Sequence, residues 1–161
     1  MTTSAWTVNE ALTWIQDSPV AHAVSKSNHL VGAGLQIVHV LGFILLLAAL
    51  VMLSLRLLGL AMKRQPLHDV ARDATRLIWI GLGAAVASGV LMFVSTPKLY
   101  YFNRAFELKM ALFLGAIVVQ LTLFRRANDS SPSPVLARTA VALSLLAWFG
   151  VGMAGRMIGF I

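Results

Sequence analysis

His39 is the residue whose type and position in this chain could do the most chemistry. It lies between Val38 and Val40 in a long apolar run. An ionisable side chain so deep in a membrane-spanning segment usually faces the bundle interior and has a partner or a function. Neutral imidazole is a good ligand for haem iron, copper or zinc, but it can equally bond to a backbone carbonyl or a serine on a neighbouring helix. Both roles stay open for His39.

The other histidines are not expected to share a metal with His39, unless the helix breaks at Gly32-Ala33-Gly34 and brings His29 close. His29 precedes it by ten positions, which separates the two rings by about 15 Å along a helix axis. His22 and His68 fall outside the apolar runs, where histidines are usually plain surface residues. A haem b held between membrane helices usually takes two axial ligands from facing helices. The sequence therefore disfavours ordinary bis-histidine ligation.

Methionine can supply a second ligand. Met92, Met110, Met153 and Met157 all fall in the half of the apolar segments that holds His39. We take His39, Met92, Met110 and Met153 as the candidate metal ligands, for haem b or for copper. Packing explains the same methionines, because methionine commonly fills gaps between apolar helices.

Polar and charged residues gather at the same level. Arg156 lies among glycines near the end of the chain and could clamp a carboxylate such as a haem propionate. Lys109 and Asn103 lie at the start of another apolar segment, and with His39 and Arg156 they form the candidate cofactor-binding set. Lys109 and the nearby Glu107 can also simply extend to the membrane surface.

Long apolar segments must position these side chains. Of the 161 residues, 58% are hydrophobic and only 12% are charged, where a soluble domain usually has about 25% charged residues. The pattern predicts an all-α integral membrane protein, a four-helix bundle in contact with the lipid bilayer. The predicted spans are residues 29–58, 75–95, 106–124 and 135–160, within a transmembrane domain over residues 29–161.

Residues 1–28 form a separate N-terminal arm. Residues 6–16 have a mixed composition that is typical of a short amphipathic helix, and Trp6 and Trp14 within them suit the headgroup level of a membrane, so we expect this helix to lie flat on the membrane surface. Asp17-Ser18-Pro19 then interrupts it and can start another turn. A second break, residues 128–134, has turn residues throughout and separates the third and fourth spans.

The basic residues act as topology signals. The net charge is +7, but these residues sit at the ends of apolar segments, so we expect no nucleic-acid partner. The connections after spans one and three, with adjoining helix ends, hold eight of the 13 lysines and arginines, and the opposite side holds five. The excess marks the cytoplasmic side. We expect a multi-pass protein of the bacterial inner membrane with both termini extracytoplasmic.

Short stretches in a fixed order resemble a known family. They are Ser18-Pro19, His39 with Leu41-Gly42, Leu55-Arg56-Leu57-Leu58-Gly59, Tyr101-Phe102-Asn103 with Phe106 and Lys109, and the terminal Gly155-Arg156-Met157-Ile158-Gly159-Phe160. Together they resemble a family of small bacterial inner-membrane proteins catalogued as a domain of unknown function. The resemblance covers nearly the whole chain. It implies a four-helix fold and draws attention to His39, Asn103, Lys109 and Arg156.

One position departs from that family. Its members usually have an aspartate before the leucine–arginine pair, and this chain has Ser54 there. An acidic group at this point is therefore not expected to have a role in this chain. More distantly, the histidine-bearing first span is similar in architecture to membrane copper-resistance proteins and small b-type cytochromes.

Three functional hypotheses follow. The first is a redox or metal-handling component with a haem or copper site in the outer half of the bundle. The second is a cofactor-free assembly or scaffold subunit of a membrane complex, and the third is a transporter of copper or a small solute.

No catalytic motif occurs, so we expect no catalytic activity of its own. The chain has no cysteine, which excludes disulfides and thiolate sites. The expected partners are lipid, a further copy of the chain or a membrane complex.

The charge bias makes a testable prediction about topology. Alkaline phosphatase fused after Ile161 is expected to be active, because that end should lie outside the cytoplasm, while green fluorescent protein fused there should be dark. The same two fusions after Arg64 serve as the control and should behave in the opposite way. A fusion after Ile161 that is active only in the cytoplasm would refute the topology.

Overall fold

The computed structural model describes residues 7–26, 29–124 and 133–160, and every regular element in these ranges is helical. Trp6, Arg125, Arg126 and most of the predicted 128–134 break lie outside the described residues. The helices are α1 (Val8–Gln16), α2 (Pro19–Ser25), α3 (His29–Leu57), α4 (Leu67–Ser95), α5 (Pro97–Tyr101), α6 (Arg104–Val119) and α7 (Pro134–Met157). A π-helical turn, Gln120–Phe124, continues α6.

Four helices are long and apolar enough to cross a membrane, so the predicted all-α four-helix fold is confirmed. They are α3, α4, α6 with its continuation to Thr122, and α7. Large apolar side chains such as Leu114, Val118 and Leu146 are exposed on the outside of the bundle. Lipid is the solvent that suits such a surface. The chain is a multi-pass membrane protein.

Two of these helices are longer than the bilayer requires. At 29 residues each, α3 and α4 extend over about 43 Å, against about 30 Å of hydrocarbon. The predicted second span began at residue 75, and α4 begins eight residues earlier, at Leu67. Its first turns have a polar face with the exposed ion pair Arg72–Asp73 and with His68 3.5 Å from Asp69.

Two glycines bring α3 and α4 into backbone contact. A Cβ atom on Gly81 would lie 2.5 Å from the carbonyl oxygen of Gly42 and 2.8 Å from the nitrogen of Leu46. A Cβ atom on Gly42 would lie 2.8 Å from the carbonyl oxygen of Gly81. Small residues at a crossing permit such an approach between membrane helices. Further along, Leu50 of α3 and Ile78 of α4 belong to one buried core.

The α6–α7 pair joins α3 through aromatic rings. Trp148 of α7 is only 1% exposed, and its ring centroid lies 6.4 Å from that of Phe43 in α3 and 6.0 Å from that of Phe113 in α6. Its indole nitrogen has no hydrogen-bond partner among the described residues. Ser144 of α7 donates a hydrogen bond to the side-chain oxygen of Gln120 (3.1 Å), and both residues are buried.

The N-terminal arm, α1 and α2, packs against one end of the bundle, which we call the arm end. Thr7 and Glu10 form a reciprocal cap at the start of α1, and hydrogen bonding to Thr7 lowers the pKa of the Glu10 carboxyl. Ser18 caps α2 by accepting a hydrogen bond from the backbone nitrogen of Ala21. Leu12 and Ala21 are buried, and the arm contacts α3, α4 and α5. The arm therefore packs against the rest of the protein, while Trp14 on α1 stays exposed.

The glycine crossing predicts a sharp difference between two neighbouring substitutions. Gly81→Ala places a methyl group against the backbone of α3 and should destabilise the fold by about 1–3 kcal/mol, the usual cost of overpacking. Gly83→Ala is the matched control, because a Cβ atom there has nothing within 4 Å. Thermal unfolding of both variants in detergent micelles, followed by circular dichroism, measures the difference. Equal unfolding temperatures would contradict the close crossing.

Candidate functional site

A pocket of about 460 Å³ lies between α3, α4, α6 and α7 at the arm end. Its volume is within the range of small-molecule sites, about 300–1,000 Å³. Most of its lining is aliphatic, aromatic or glycine, and its polar side chains are Gln36, His39, Tyr100, Lys109 and Arg156. We call it the arm-end pocket.

His39 is anchored by a hydrogen bond across the glycine crossing. Its Nδ1 lies 2.7 Å from the carbonyl oxygen of Ala85 in α4. A carbonyl can only accept, so Nδ1 carries the proton and Nε2 keeps its lone pair. Ser88 donates to the carbonyl oxygen of Ala84 (2.6 Å), and its hydroxyl lies 3.4 Å from Nδ1. Gly89 makes room for the ring, because a Cβ atom there would lie 3.0 Å from Cε1.

Lys109 occupies the other side of the imidazole. Its Nζ lies 3.4 Å from His39 Nε2, so the ammonium donates to the lone pair that the tautomer leaves free. The side chain of Lys109 is half-buried and passes beside Gly155 of α7. A Cβ atom on Gly155 would lie 3.5 Å from Lys109 Cε. Three helices thus hold one chain of hydrogen-bonded groups from Ala85 through His39 to Lys109.

Arg156 adds a second cation at the rim of the pocket. Its guanidinium lies over the Phe160 ring, 4.8 Å from the centroid, which is a cation–π arrangement. Neither Arg156 nor Lys109 forms an ion pair with any carboxylate in residues 7–26, 29–124 and 133–160. No Asp or Glu appears among the described residues that line the pocket. The pocket is therefore electropositive and suited to an anion.

Three aromatic rings form the wall contributed by α4, α5 and α6. Phe93 stacks on Phe106 with centroids 5.6 Å apart, and Tyr100 lies 5.5 Å from Phe106. Burial raises the pKa of the Tyr100 phenol. The hydroxyl is consequently protonated at neutral pH and able to donate a hydrogen bond.

The predicted metal ligands are not all in one place. Met92 lines the pocket with His39. Met110 and Met153 do not line it, and they are 38% and 67% exposed on the outer surface. Within the part of the chain that the structure describes, no three His, Cys, Asp or Glu side chains come together as a metal cluster.

Asn103 has a position outside the pocket lining. It is the N-cap of α6, and its side-chain oxygen accepts from the backbone nitrogens of Ala105 (2.9 Å) and Phe106 (3.2 Å). Its amide nitrogen donates to the carbonyl oxygen of Ile158, 3.3 Å away, beyond the end of α7. Asn103 thus fixes the elements that carry Lys109 and Arg156 relative to each other.

Sequence reasoning missed the residues that receive the imidazole. Ala85, Ser88 and Gly89 stand four, seven and eight positions after Gly81, which is the spacing of one helix face. A search for small residues at that spacing would have marked this face of α4 as the partner of His39.

Comparison with known proteins identifies one match. A family model described as a family of unknown function, DUF6644, matches residues 12–161. No curated protein and no solved structure matches the chain. The family match confirms the resemblance drawn from the short stretches of sequence.

The cap and tether at Asn103 make a testable prediction. Asn103→Ala should destabilise the protein by about 1 kcal/mol, since an unpaired helix start costs that amount. Asn103→Asp is the control for the cap, because a carboxylate also caps a helix but cannot donate to Ile158. Thermal unfolding should therefore rank the wild type above Asp and Asp above Ala. An Ala variant as stable as the wild type would show that the cap contributes nothing.

Proposed function

Since the chain belongs to the DUF6644 family, a family of unknown function, we propose a function from its own side chains. The chain is a membrane protein whose arm-end pocket binds a small anion with an apolar body. We place it in the bacterial inner membrane with the arm end outside the cytoplasm. The single observation that carries the proposal is that Lys109 and Arg156 line a largely apolar pocket without a lining carboxylate.

The electrostatics favour an anionic ligand. A cation removed from water needs a partner, and in the described structure Lys109 has only the neutral His39 ring as its hydrogen-bond acceptor. An anion between Lys109 and Arg156 would satisfy both. Arginine also offers a planar pair of donors that matches a carboxylate or phosphate.

The lining favours an apolar body on that anion. Phe43, Phe93 and Phe106 with Val151 present hydrocarbon to the pocket. Burial of apolar surface supplies affinity, while the few polar groups fix the orientation of the ligand. A small inorganic anion would leave this lining without contact.

Calorimetry with two matched ligands tests the proposal. Octanoate should bind the purified protein in maltoside micelles, and octanamide should bind at least about tenfold more weakly, since it lacks the charge. Lys109→Gln and Arg156→Gln should each weaken octanoate binding by about tenfold, which corresponds to about 1.4 kcal/mol.

Lys98→Gln is the control for charge alone. Lys98 is exposed on α5 and does not line the pocket, so this variant should bind octanoate as the wild type does. If Lys98→Gln and Lys109→Gln weaken binding equally, the anion is held by general surface charge and the proposed site is wrong.

Haem is the second candidate ligand, supported by the tautomer of His39 and by Met92. Haem would match an apolar pocket with two cations, because it is an apolar macrocycle with two propionates. His39 Nε2 and the Met92 sulfur are the groups that would hold haem iron, and haem would supply one-electron transfer there. Lys109 lies 3.4 Å from Nε2, so its side chain would have to leave this nitrogen before iron could bind.

Absorption spectroscopy and metal analysis separate these candidates. Protein expressed with haem and copper supplied should show a Soret band that His39→Ala abolishes, if haem is the ligand. A colourless and metal-free preparation would exclude both haem and copper under those conditions and leave the octanoate result standing on its own.

A further inference from the structure

One edge of the arm-end pocket lies on the surface that faces lipid. Gln36, Val40 and Ile44 of α3 line the pocket at intervals of four residues, which places them on one stripe of the helix. All three are exposed, Val40 by 48% and Ile44 by 54%. The more deeply placed His39 and Phe43 lie on the neighbouring stripe. The pocket therefore reaches the outside of the bundle along α3.

The opposite edge of this opening is made of glycine. Gly155 belongs to the last turn of α7, Gly159 follows just after the end of that helix, and both line the pocket. A Cβ atom on Gly159 would have nothing within 4 Å, and the nearest atoms to one on Gly155 belong to Lys109. Further into the bundle α3 and α7 do meet, where Phe43 packs on Gly152. The seam between the two helices is thus closed where Phe43 meets Gly152, within the lining of the pocket, and open toward Gly159.

The other sides of the pocket are occupied by protein. The stacked rings of Phe93, Tyr100 and Phe106 stand between α4 and α6. The arm packs on α3, α4 and α5, and none of residues 7–26 lines the pocket. The α3–α7 seam is consequently the side on which the described lining is exposed.

The polarity of the seam changes along its length. Gln36 and Arg156 lie toward the arm end, and Val40 and Ile44 follow toward the middle of the bundle. A ligand with a charged head at the arm end and a chain directed toward the bilayer centre matches this order. Each buried CH₂ contributes about 0.8 kcal/mol to partition into an apolar phase. A chain long enough to fill the seam therefore resides in the membrane before it binds.

We infer that the arm-end pocket takes a single-chain anionic amphiphile that enters sideways from the bilayer through the α3–α7 seam. Its acidic head lies between Lys109 and Arg156, and its chain leaves between Val40, Ile44 and the α7 glycines. This inference rests on the proposed anion site and adds the class of ligand and the route of binding.

Photolabelling in lipid tests the route. The protein is placed in nanodiscs of zwitterionic phosphatidylcholine with hexadecanoic acid that carries a diazirine in mid-chain. After illumination, mass spectrometry should locate adducts on the α3 peptide that contains Val40 and Ile44 and on the α7 peptide that contains Val151 and Gly152. Val40→Trp should lower this labelling by about fivefold, because an indole narrows the seam.

Val38→Trp is the matched control. Val38 is 47% exposed on the same helix, nearly as much as Val40, but does not line the pocket, so its labelling should equal that of the wild type. Equal labelling of the two tryptophan variants would overturn the lateral route. So would full competition by octanoate at the same concentration as hexadecanoate, since a ligand from water would not need the longer chain.

A third variant separates failure of the route from failure of the site. If Lys109→Gln weakens octanoate binding while Val40→Trp leaves photolabelling unchanged, the anion site stands and the lateral route is refuted. If Lys109→Gln affects neither octanoate binding nor labelling, the anion site itself is refuted.

The methyl ester of the probe should label the seam several-fold less than the acid, and equal labelling by the ester would also count against the inference.

Discussion

The backbone contact between Gly42 and Gly81 sets the geometry on which the pocket depends. This contact holds α3 and α4 so close that the imidazole of His39 reaches the carbonyl of Ala85. His39 lies three residues before Gly42, and Ala85 lies four residues after Gly81. A wider crossing would leave that ring without its acceptor in a region where no water replaces it. The hydrogen bond then fixes the tautomer, and the tautomer gives Lys109 an acceptor at Nε2. The absence of side chains at Gly42 and Gly81 thus determines which nitrogen of the His39 imidazole faces the pocket.

The charges of the site are balanced differently from those at the other end of α4. There, His68 and Arg72 have neighbouring carboxylates and water. At the pocket, the partners that the described residues give to the two cations are neutral: a ring nitrogen of His39 for Lys109 and the aromatic face of Phe160 for Arg156. Neutral partners compensate a cation weakly in a medium of low dielectric constant. This imbalance is the physical basis for assigning an anion to the pocket. The hydrogen bond to the carbonyl oxygen of Ala85 gives His39 a partner in the interior without a metal.

The sequence predicted the four long apolar helices well and their rotation against one another poorly. Hydropathy located the four spans because lipid demands long apolar helices, and His39 stood out because it interrupts one. Met92 and Met110 lie at similar depths, yet only Met92 lines the pocket, since the facing of a residue depends on how a helix is turned against its neighbours. The same rotation decides which neighbours the glycines of α7 meet, because Gly152 receives the ring of Phe43 and Gly155 the stem of Lys109. The start of α4 at Leu67 escaped prediction because its first turns have a polar face and look like a connection.

Trp148 gives the protein an optical sensor of its own interior. Its indole is enclosed and its nitrogen has no acceptor in the described part of the chain, whereas Trp14 and Trp79 are exposed. Indole fluorescence shifts to shorter wavelength in surroundings that cannot reorient around the excited state, so Trp148 should provide the blue edge of the emission. The Trp148 ring contacts Phe43, and Phe43 also lines the pocket. Any displacement of Phe43 therefore changes the environment of the Trp148 indole. The state of the pocket can then be followed by light emitted from the native chain, without an attached dye.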